Sequence, residues 1–278
     1  MVSLGPAGPR SGRRNRSKFP GLPDLAKRAR ERRDIIRSQV SRLCFDGSAD
    51  PAAAVLSNPA CHTKLSFPFV GRGISSQFNV NLEDDCSWFY MGREKFEILL
   101  RGFHAVQKSC DITALWLYGT QGYGKSYILA AFVCYLCARG NERVIYIPDC
   151  RELLNDVVRC FQAAMLFAWS DDASIQREII ALDTPDDIYF FLKSHEAAVY
   201  VIDQMDACTD SENTLSTWLT DCWQLGKAAV LSSSASYREQ VQTSEKTFYM
   251  YAYGGLSAVS LSETCFCRDN PSNCTCSF

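Results

Sequence analysis

The octapeptide Gly119-Thr-Gln-Gly-Tyr-Gly-Lys125-Ser126 constrains this chain more than any other segment. It fits G-x-x-x-x-G-K-[ST], and it joins a short apolar run, Ala114–Tyr118 (ALWLY), to a longer one, Ser126–Ala138. Glycine lacks the Cβ that disfavours positive φ, so such a loop curls until successive N–H groups face inward. With a helix after it, the helix N-terminus adds a field that favours an anion. Lys125 then reaches β- and γ-phosphates, and the Ser126 hydroxyl is placed to ligate Mg²⁺. Gly119, Thr120, Gln121, Gly122, Tyr123, Gly124, Lys125 and Ser126 are therefore the predicted phosphate site, with ATP and Mg²⁺ as ligands. The competing reading is a glycine-rich turn between a strand and a helix. No N/T-K-x-D guanine-reading motif occurs, which favours ATP over GTP.

The flanking patterns agree with the first reading. Glu94–Val106 is amphipathic, with Phe96, Leu99, Leu100, Phe103 and Val106 on one face. Short unbroken apolar runs follow at 143–147, 198–202, 228–231 and 248–253, and helical patterns at 151–168, 186–195 and 215–225. Unbroken apolar strands alternating with helices specify a parallel sheet buried on both faces. The predicted fold is thus α/β: a P-loop NTPase whose parallel sheet is sandwiched by helices, with a disordered basic N-terminal arm.

Phosphate chemistry of this kind needs a metal, and the metal needs a carboxylate at a strand end. Asp203 ends the run AVYVI and is the predicted metal-side carboxylate together with Ser126; the alternative is a helix or turn cap. Gln204 follows it, where many ATPases carry a glutamate. An amide orients water but takes no proton. Asp206 is the nearest substitute base. After the fourth strand, Ser232, Ser233, Ser234 and Ser236 cluster at a position where parallel sheets bind ligands, and Ser234 is the chosen γ-phosphate or water contact. A polar turn is the competing explanation. Arg238 is either an arginine finger toward a neighbouring subunit in an oligomer or an ordinary surface arginine. Met91, Gly92 and Arg93 open the helix upstream of the loop, on the predicted adenine side.

The charge distribution is uneven. Residues 1–43 carry 12 basic and 3 acidic side chains, about +9, which leaves 17 against 28, about −11, over the rest. Such an arm is a nuclear address, a contact for nucleic acid or a protein partner, or a solvated leader. Within it, Leu25, Ala29, Ile36, Val40 and Leu43 fall on one face of a candidate helix over 25–43. Residues 44–85 are the expected linker or packed N-terminal extension, 86–263 the NTPase domain, and 264–278 a cysteine-rich disordered tail. Cys265, Cys267, Cys274 and Cys276 in that tail are a candidate zinc site at unusually tight spacing. Many of the 14 cysteines sit inside apolar patterns, which predicts free thiols in an intracellular protein. The longest apolar run is too short for a membrane span, so no membrane association is expected.

Taken together, "FYMGREKFEILL", "LWLYGTQGYGKSYILAA", "VYVIDQMDA", "LSSSAS" and "YAYGGLSAVSLSE" resemble P-loop ATPases of the AAA-like or STAND-like branch, and more narrowly the NTPase domain of Crinkler-type proteins. The resemblance covers about Phe67 to Glu263. It implies ATP binding and, for some members, a nuclease domain and an effector delivered into host cells, often to nuclei. This chain departs from that pattern: it shows no signal peptide, no targeting header, no room for a nuclease and no helical lid after "YGG". A truncated member, or an imperfect gene model, is the expectation. Two functions follow: a slow Mg²⁺-dependent ATPase, or a non-catalytic scaffold gated by nucleotide.

Overall fold

The computed structural model describes residues 21–71, 78, 80, 86–120, 122–208, 214–233 and 247–252. Gln121, Ser234, Ser236, Arg238, the first 20 residues and the tail cysteines lie outside the described residues.

Five strands form the central sheet: β3 (Ala114–Gly119), β4 (Val144–Ile147), β5 (Val199–Ile202), β6 (Ala228–Ser232) and β7 (Thr247–Ala252). Their order is β4-β5-β6-β3-β7, and every pair is parallel. Residues of β4, β5 and β6 are buried without alternation, as the apolar runs predict for strands covered on both faces. The register sets Leu117 beside Ser232, Gly119 beside Ala252 and Ile147 beside Ile202, so all carboxyl ends share one edge.

Helices α3 (Lys95–Lys108), α4 (Lys125–Arg139), α5 (Val157–Ala168), α6 (Ala173–Ile180), α7 (Pro185–Ser194) and α8 (Thr214–Gln224) connect the strands. The apolar run after the loop becomes α4, buried around nearly its whole circumference. It stops at Gly140, whose left-handed φ of 74° lets its N–H reach the Leu136 carbonyl at 3.2 Å.

The pattern expected as one helix over 151–168 is divided. A 3-10 turn spans Cys150–Glu152, and α5 starts only at Val157, because the Asp156 side chain accepts from the Arg159 N–H at 3.0 Å and caps the helix there. Helix α6, which the sequence pattern did not single out, is started by Asp172, whose carboxylate accepts from the Ser174 and Ile175 amides.

The described residues before the sheet pack against its helices. Helix α1 (Leu22–Ser41) lies against α4 and α5 with Leu25, Ala26, Ala29, Ile36 and Val40 buried. Its arginines are partly directed inward. Arg33 is 3% exposed and donates to the Ala168 carbonyl at 2.8 Å and to Ser170 Oγ at 3.3 Å. Arg32 donates to the Phe69 carbonyl, and Arg37 Nε to the Cys137 carbonyl at 3.4 Å. Arg37 and Arg33 thus serve late carbonyls of α4 and α5, where the helix dipoles are negative, while Arg32 ties α1 to the segment after β1. The second half of the basic segment is therefore an integral helix and not an arm standing off the body. Lys27, Arg28, Arg30 and Arg42 remain exposed.

Between α1 and the sheet lie α2 (Pro51–Ser57) and an antiparallel pair, β1 (His62–Ser66) and β2 (Ser87–Met91). Trp88 of β2 packs edge-on with Phe67, Phe78, Tyr90 and Tyr127 in an aromatic cluster. Among the described residues no helix is long and apolar enough to cross a membrane.

Candidate nucleotide site

Strand β3 delivers the loop and α4 receives it. Gly119 meets the edge strand so closely that a Cβ would lie 2.0 Å from the Ala252 carbonyl oxygen, which excludes any side chain. Gly124 closes the loop at φ 83°, in the left-handed region, and α4 begins at the next residue. Lys125 follows, 9% exposed. Its Nζ donates to the Gly119 carbonyl at 2.8 Å and to the Thr120 carbonyl at 3.2 Å, spanning the loop it belongs to. Burial lowers its pKa, and the charges of Asp203 and Asp206 oppose that shift.

Asp203 leaves β5 at the same edge. It is 1% exposed, and one oxygen is fully engaged: Oδ1 accepts from the Gln204 N–H at 3.0 Å and from the Ser232 hydroxyl. Its Oδ2 is buried and has no hydrogen-bond partner. Desolvation raises the Asp203 pKa; the nearby Ser126 and Ser232 hydroxyls and the Gln204 amide oppose the rise, and the charge of Asp149 adds to it. Strand β6 separates β5 from β3, yet Ser126 in the first turn of α4 reaches the Asp203 carboxylate. A buried anionic oxygen without a partner beside a serine hydroxyl suits a hard divalent cation, which is bound by oxygen ligands.

Gln204 adopts φ 58°, one of two non-glycine residues with positive φ among those described. Such a conformer costs on the order of 1–3 kcal/mol and persists where the surroundings over-determine it. Here the constraint is visible: its N–H is held by Asp203 Oδ1 and, at 3.4 Å, by Ser232 Oγ. The 3-10 turn Met205–Cys208 follows and carries Asp206. Ser233 is 1% exposed with a partnerless hydroxyl, so Ser232 and Ser233 are the described serines that meet the edge.

The corner between β2 and α3 closes on the loop from the other side. Gly92 lies against α2, where a Cβ would come within 2.1 Å of the Asn58 carbonyl oxygen. Arg93 Nη1 donates to the Tyr123 carbonyl at 2.8 Å, and its guanidinium lies against Gly124. Met91 is half-buried at the end of β2. The Tyr90 hydroxyl and Arg93 Nε are buried without partners beside it.

One residue of this edge was passed over in the sequence. Asp149 is 4% exposed just past β4, and it binds Arg151 through Nε at 2.8 and 3.1 Å and through Nη2. The signal was the one that marks Asp203, a carboxylate at the end of an apolar strand, here displaced one residue by Pro148. The histidines do not converge on the site, and no group of three or more His, Cys, Asp or Glu suited to a metal occurs among the described residues.

A five-stranded parallel sheet flanked by helices, with a glycine loop opening into α4 and a buried carboxylate on the same edge, is an α/β fold of the P-loop NTPase type. Among solved structures the chain is similar to a DNA replication initiation factor, at 13% identity and a TM-score of 0.37, over 64% of this chain and 50% of that one. It is also similar to PCH-2 of C. elegans, at 13% identity and a TM-score of 0.36, over 58% of this chain and 42% of that one. The chain thus spans half or less of the length of these structures. No protein-family model and no curated protein matches it.

Proposed function

We propose that this chain binds ATP with Mg²⁺ and hydrolyses it slowly. The observation that carries the proposal is the convergence of Lys125, Ser126 and Asp203, in which Asp203 keeps one buried oxygen without a partner. Ser126 and Asp203 would hold Mg²⁺, which when bound neutralises phosphate charge. Lys125 exchanges the Gly119 and Thr120 carbonyls for phosphate oxygens. Arg93 fixes the loop by holding the Tyr123 carbonyl, and the β2–α3 corner with Met91 and Gly92 takes the adenine side. Ser232 orients Asp203 by donating to Oδ1, which leaves Oδ2 for the metal. Gln204 orients the attacking water, and Asp206, in the turn that follows, is the carboxylate assigned to accept its proton. Ser233, with its partnerless hydroxyl, and Ser234 stand for the γ-phosphate contact at the end of β6.

Membership of the Crinkler-type branch rests on the sequence segments quoted above. Gln204, in the place of a carboxylate base, supports the second reading, a nucleotide-gated interaction protein that hydrolyses nothing. Phosphate release from ATP·Mg²⁺ separates them, with Lys125→Ala as the control. The ATPase reading expects turnover that the substitution removes, together with a loss of roughly ten- to hundred-fold in affinity, the worth of a charge-assisted hydrogen bond. Binding without release supports the gated scaffold, and unchanged binding by the variant removes the site.

A further inference from the structure

We propose that Cys150 and Cys208 are a disulfide-forming pair whose oxidation locks the turn bearing Gln204 and Asp206. Cys150 opens the 3-10 turn after β4, and Cys208 closes the one after β5. They are 58 residues apart in sequence, and the parallel pairing of β4 with β5 brings them together. Both side chains are fully buried. The Cys208 thiol donates to the Cys150 carbonyl at 3.4 Å, which sets its sulfur against the Cys150 backbone. The Cys150 amide in turn donates to the Asp203 carbonyl at 3.2 Å. The pair therefore lies directly behind the strand-end carboxylate, and neither thiol has a role in the nucleotide chemistry proposed above.

The other described cysteines are placed differently. Cys44 and Cys110 are exposed. Cys134 is buried but donates to the Ser66 carbonyl at 3.5 Å. Cys160, on α5, is buried as well and serves as the competing thiol in the test.

The oxidant we assign is hydrogen peroxide, small enough to enter a packed interior. One sulfur attacks a peroxide oxygen, the O–O bond breaks, and water leaves a sulfenic acid behind. The second sulfur attacks the sulfenic sulfur, the S–S bond forms, the S–O bond breaks, and a second water departs. Two thiols thus lose two electrons and two protons to one peroxide, and a dithiol reductant reverses the change. The link closes a long loop and ties the two turns, so Gln204 and Asp206 are held to β4 as well as to β5. The effect on turnover, unlike the link itself, rests on the ATPase reading.

The test treats the whole protein with peroxide, blocks remaining thiols by alkylation and maps the peptides. The expected result is a Cys150–Cys208 link that dithiothreitol removes. It should be absent from Cys208→Ser and from Cys150→Ala, and present in Cys160→Ser. The oxidised wild type should also unfold at a higher temperature than the reduced form, as a cross-link over a long loop requires, and should release phosphate several-fold more slowly. A protein that makes the link but releases no phosphate in either redox state counts against the ATPase reading and supports the link. The proposal is overturned if Cys44 and Cys110 oxidise while Cys150 and Cys208 are recovered as alkylated thiols. Pairing of Cys150 with Cys160, or a link that leaves the unfolding midpoint unchanged, overturns it equally.

Discussion

Arg93 holds the Tyr123 carbonyl at 2.8 Å while its guanidinium occupies the space a Cβ on Gly124 would need, the nearest atom lying 2.7 Å from that position. The corner before α3 and the phosphate loop are therefore one mechanical unit, although 30 residues of sequence separate them. Arg93→Ala should lower ATP affinity about tenfold, corresponding to about 1.4 kcal/mol, because a loop released from its clasp must be ordered by the ligand. Gly124→Ala should do more, since it combines a left-handed φ with a collision against the guanidinium. Calorimetric titration with ATP·Mg²⁺ checks both. Equal affinity in wild type and Arg93→Ala would show that the loop needs no clasp.

Asp203 sets stability against function. Burial raises its pKa, so its contribution to stability is complete below the ordinary carboxylate value of 3.8 and is lost as pH rises through the folded value. At neutral pH the ionised side chain thus weakens the unliganded fold. Asp203→Asn should unfold at a higher temperature than wild type near pH 7, and the gap should close as the pH approaches 4. Ligand reverses the order: wild type should gain about 2.7 kcal/mol at a hundredfold excess of ATP·Mg²⁺ over its Kd, and the variant much less. Thermal scans with and without ligand at several pH values test both halves.

Helix α1 contributes to the body before it contributes to any partner. Ile36 is fully buried, so Ile36→Ala should cost about 2–5 kcal/mol. Arg33→Met, which removes a buried cation and keeps its volume, should cost less than Arg33→Ala, which also leaves a cavity. Urea midpoints rank the three. If the exposed Lys27, Arg28, Arg30 and Arg42 contact nucleic acid, that binding should fall steeply with salt, and neutralising these four should flatten the dependence without moving the urea midpoint.

Asp50 ties α2 to α4 and gives the fold an acid-sensitive joint. Burial alone would raise its pKa, but the Tyr135 hydroxyl, the Ala53 amide and the Arg139 cation together lower it. A lowered carboxylate stabilises the fold above its unfolded value and loses that contribution as pH falls through the folded one, here below about 4. Asp50→Ala should cost about 1–2 kcal/mol at neutral pH, because the cap on Ala53 goes with the ion pair. Asp50→Asn retains the cap, so it should cost less and show a shallower acid dependence than wild type.

What could be read from sequence was whatever a local pattern decides. The glycine loop, the apolar strands and Asp203 are local: they need only backbone freedom, an unbroken apolar run and a carboxylate at its end. The pairing of β1 with β2 is not local. HTKLS and SWFYM carry no shared alternation, and 20 residues divide them. Arg33 escaped because a buried guanidinium contradicts the usual rule for arginine, and its burial is made tolerable by the Ala168 carbonyl, the Ser170 hydroxyl and the Asp171 carboxylate at the end of α5. The helix assigned to 151–168 overshot because Asp156 breaks the pattern through its side chain, not through its hydropathy. Ser232 was placed among the ligand-facing serines, whereas its hydroxyl is directed to Asp203.

On the proposed ATPase reading, the hydrolytic step would turn on Gln204 and Asp206. Gln204 sits at φ 58° with its amide fixed by Asp203 Oδ1, so its side chain leaves the strand end in a defined direction. An amide there holds water but cannot accept its proton, and general-base assistance is typically worth about 10²–10⁴-fold. Wild-type turnover should therefore be slow, and Gln204→Glu should raise it while changing ATP affinity little. Gln204→Gly relieves the left-handed backbone, so it should stabilise the fold slightly and slow turnover further, which separates the role of the side chain from that of the turn. Asp206 lies close enough for its charge to act on Lys125. If it supplies the base, Asp206→Asn will abolish turnover, and Gln204→Glu will add little. Steady-state phosphate release across the three variants decides between these cases. Rapid turnover that none of them alters would place the hydrolytic centre away from the end of β5.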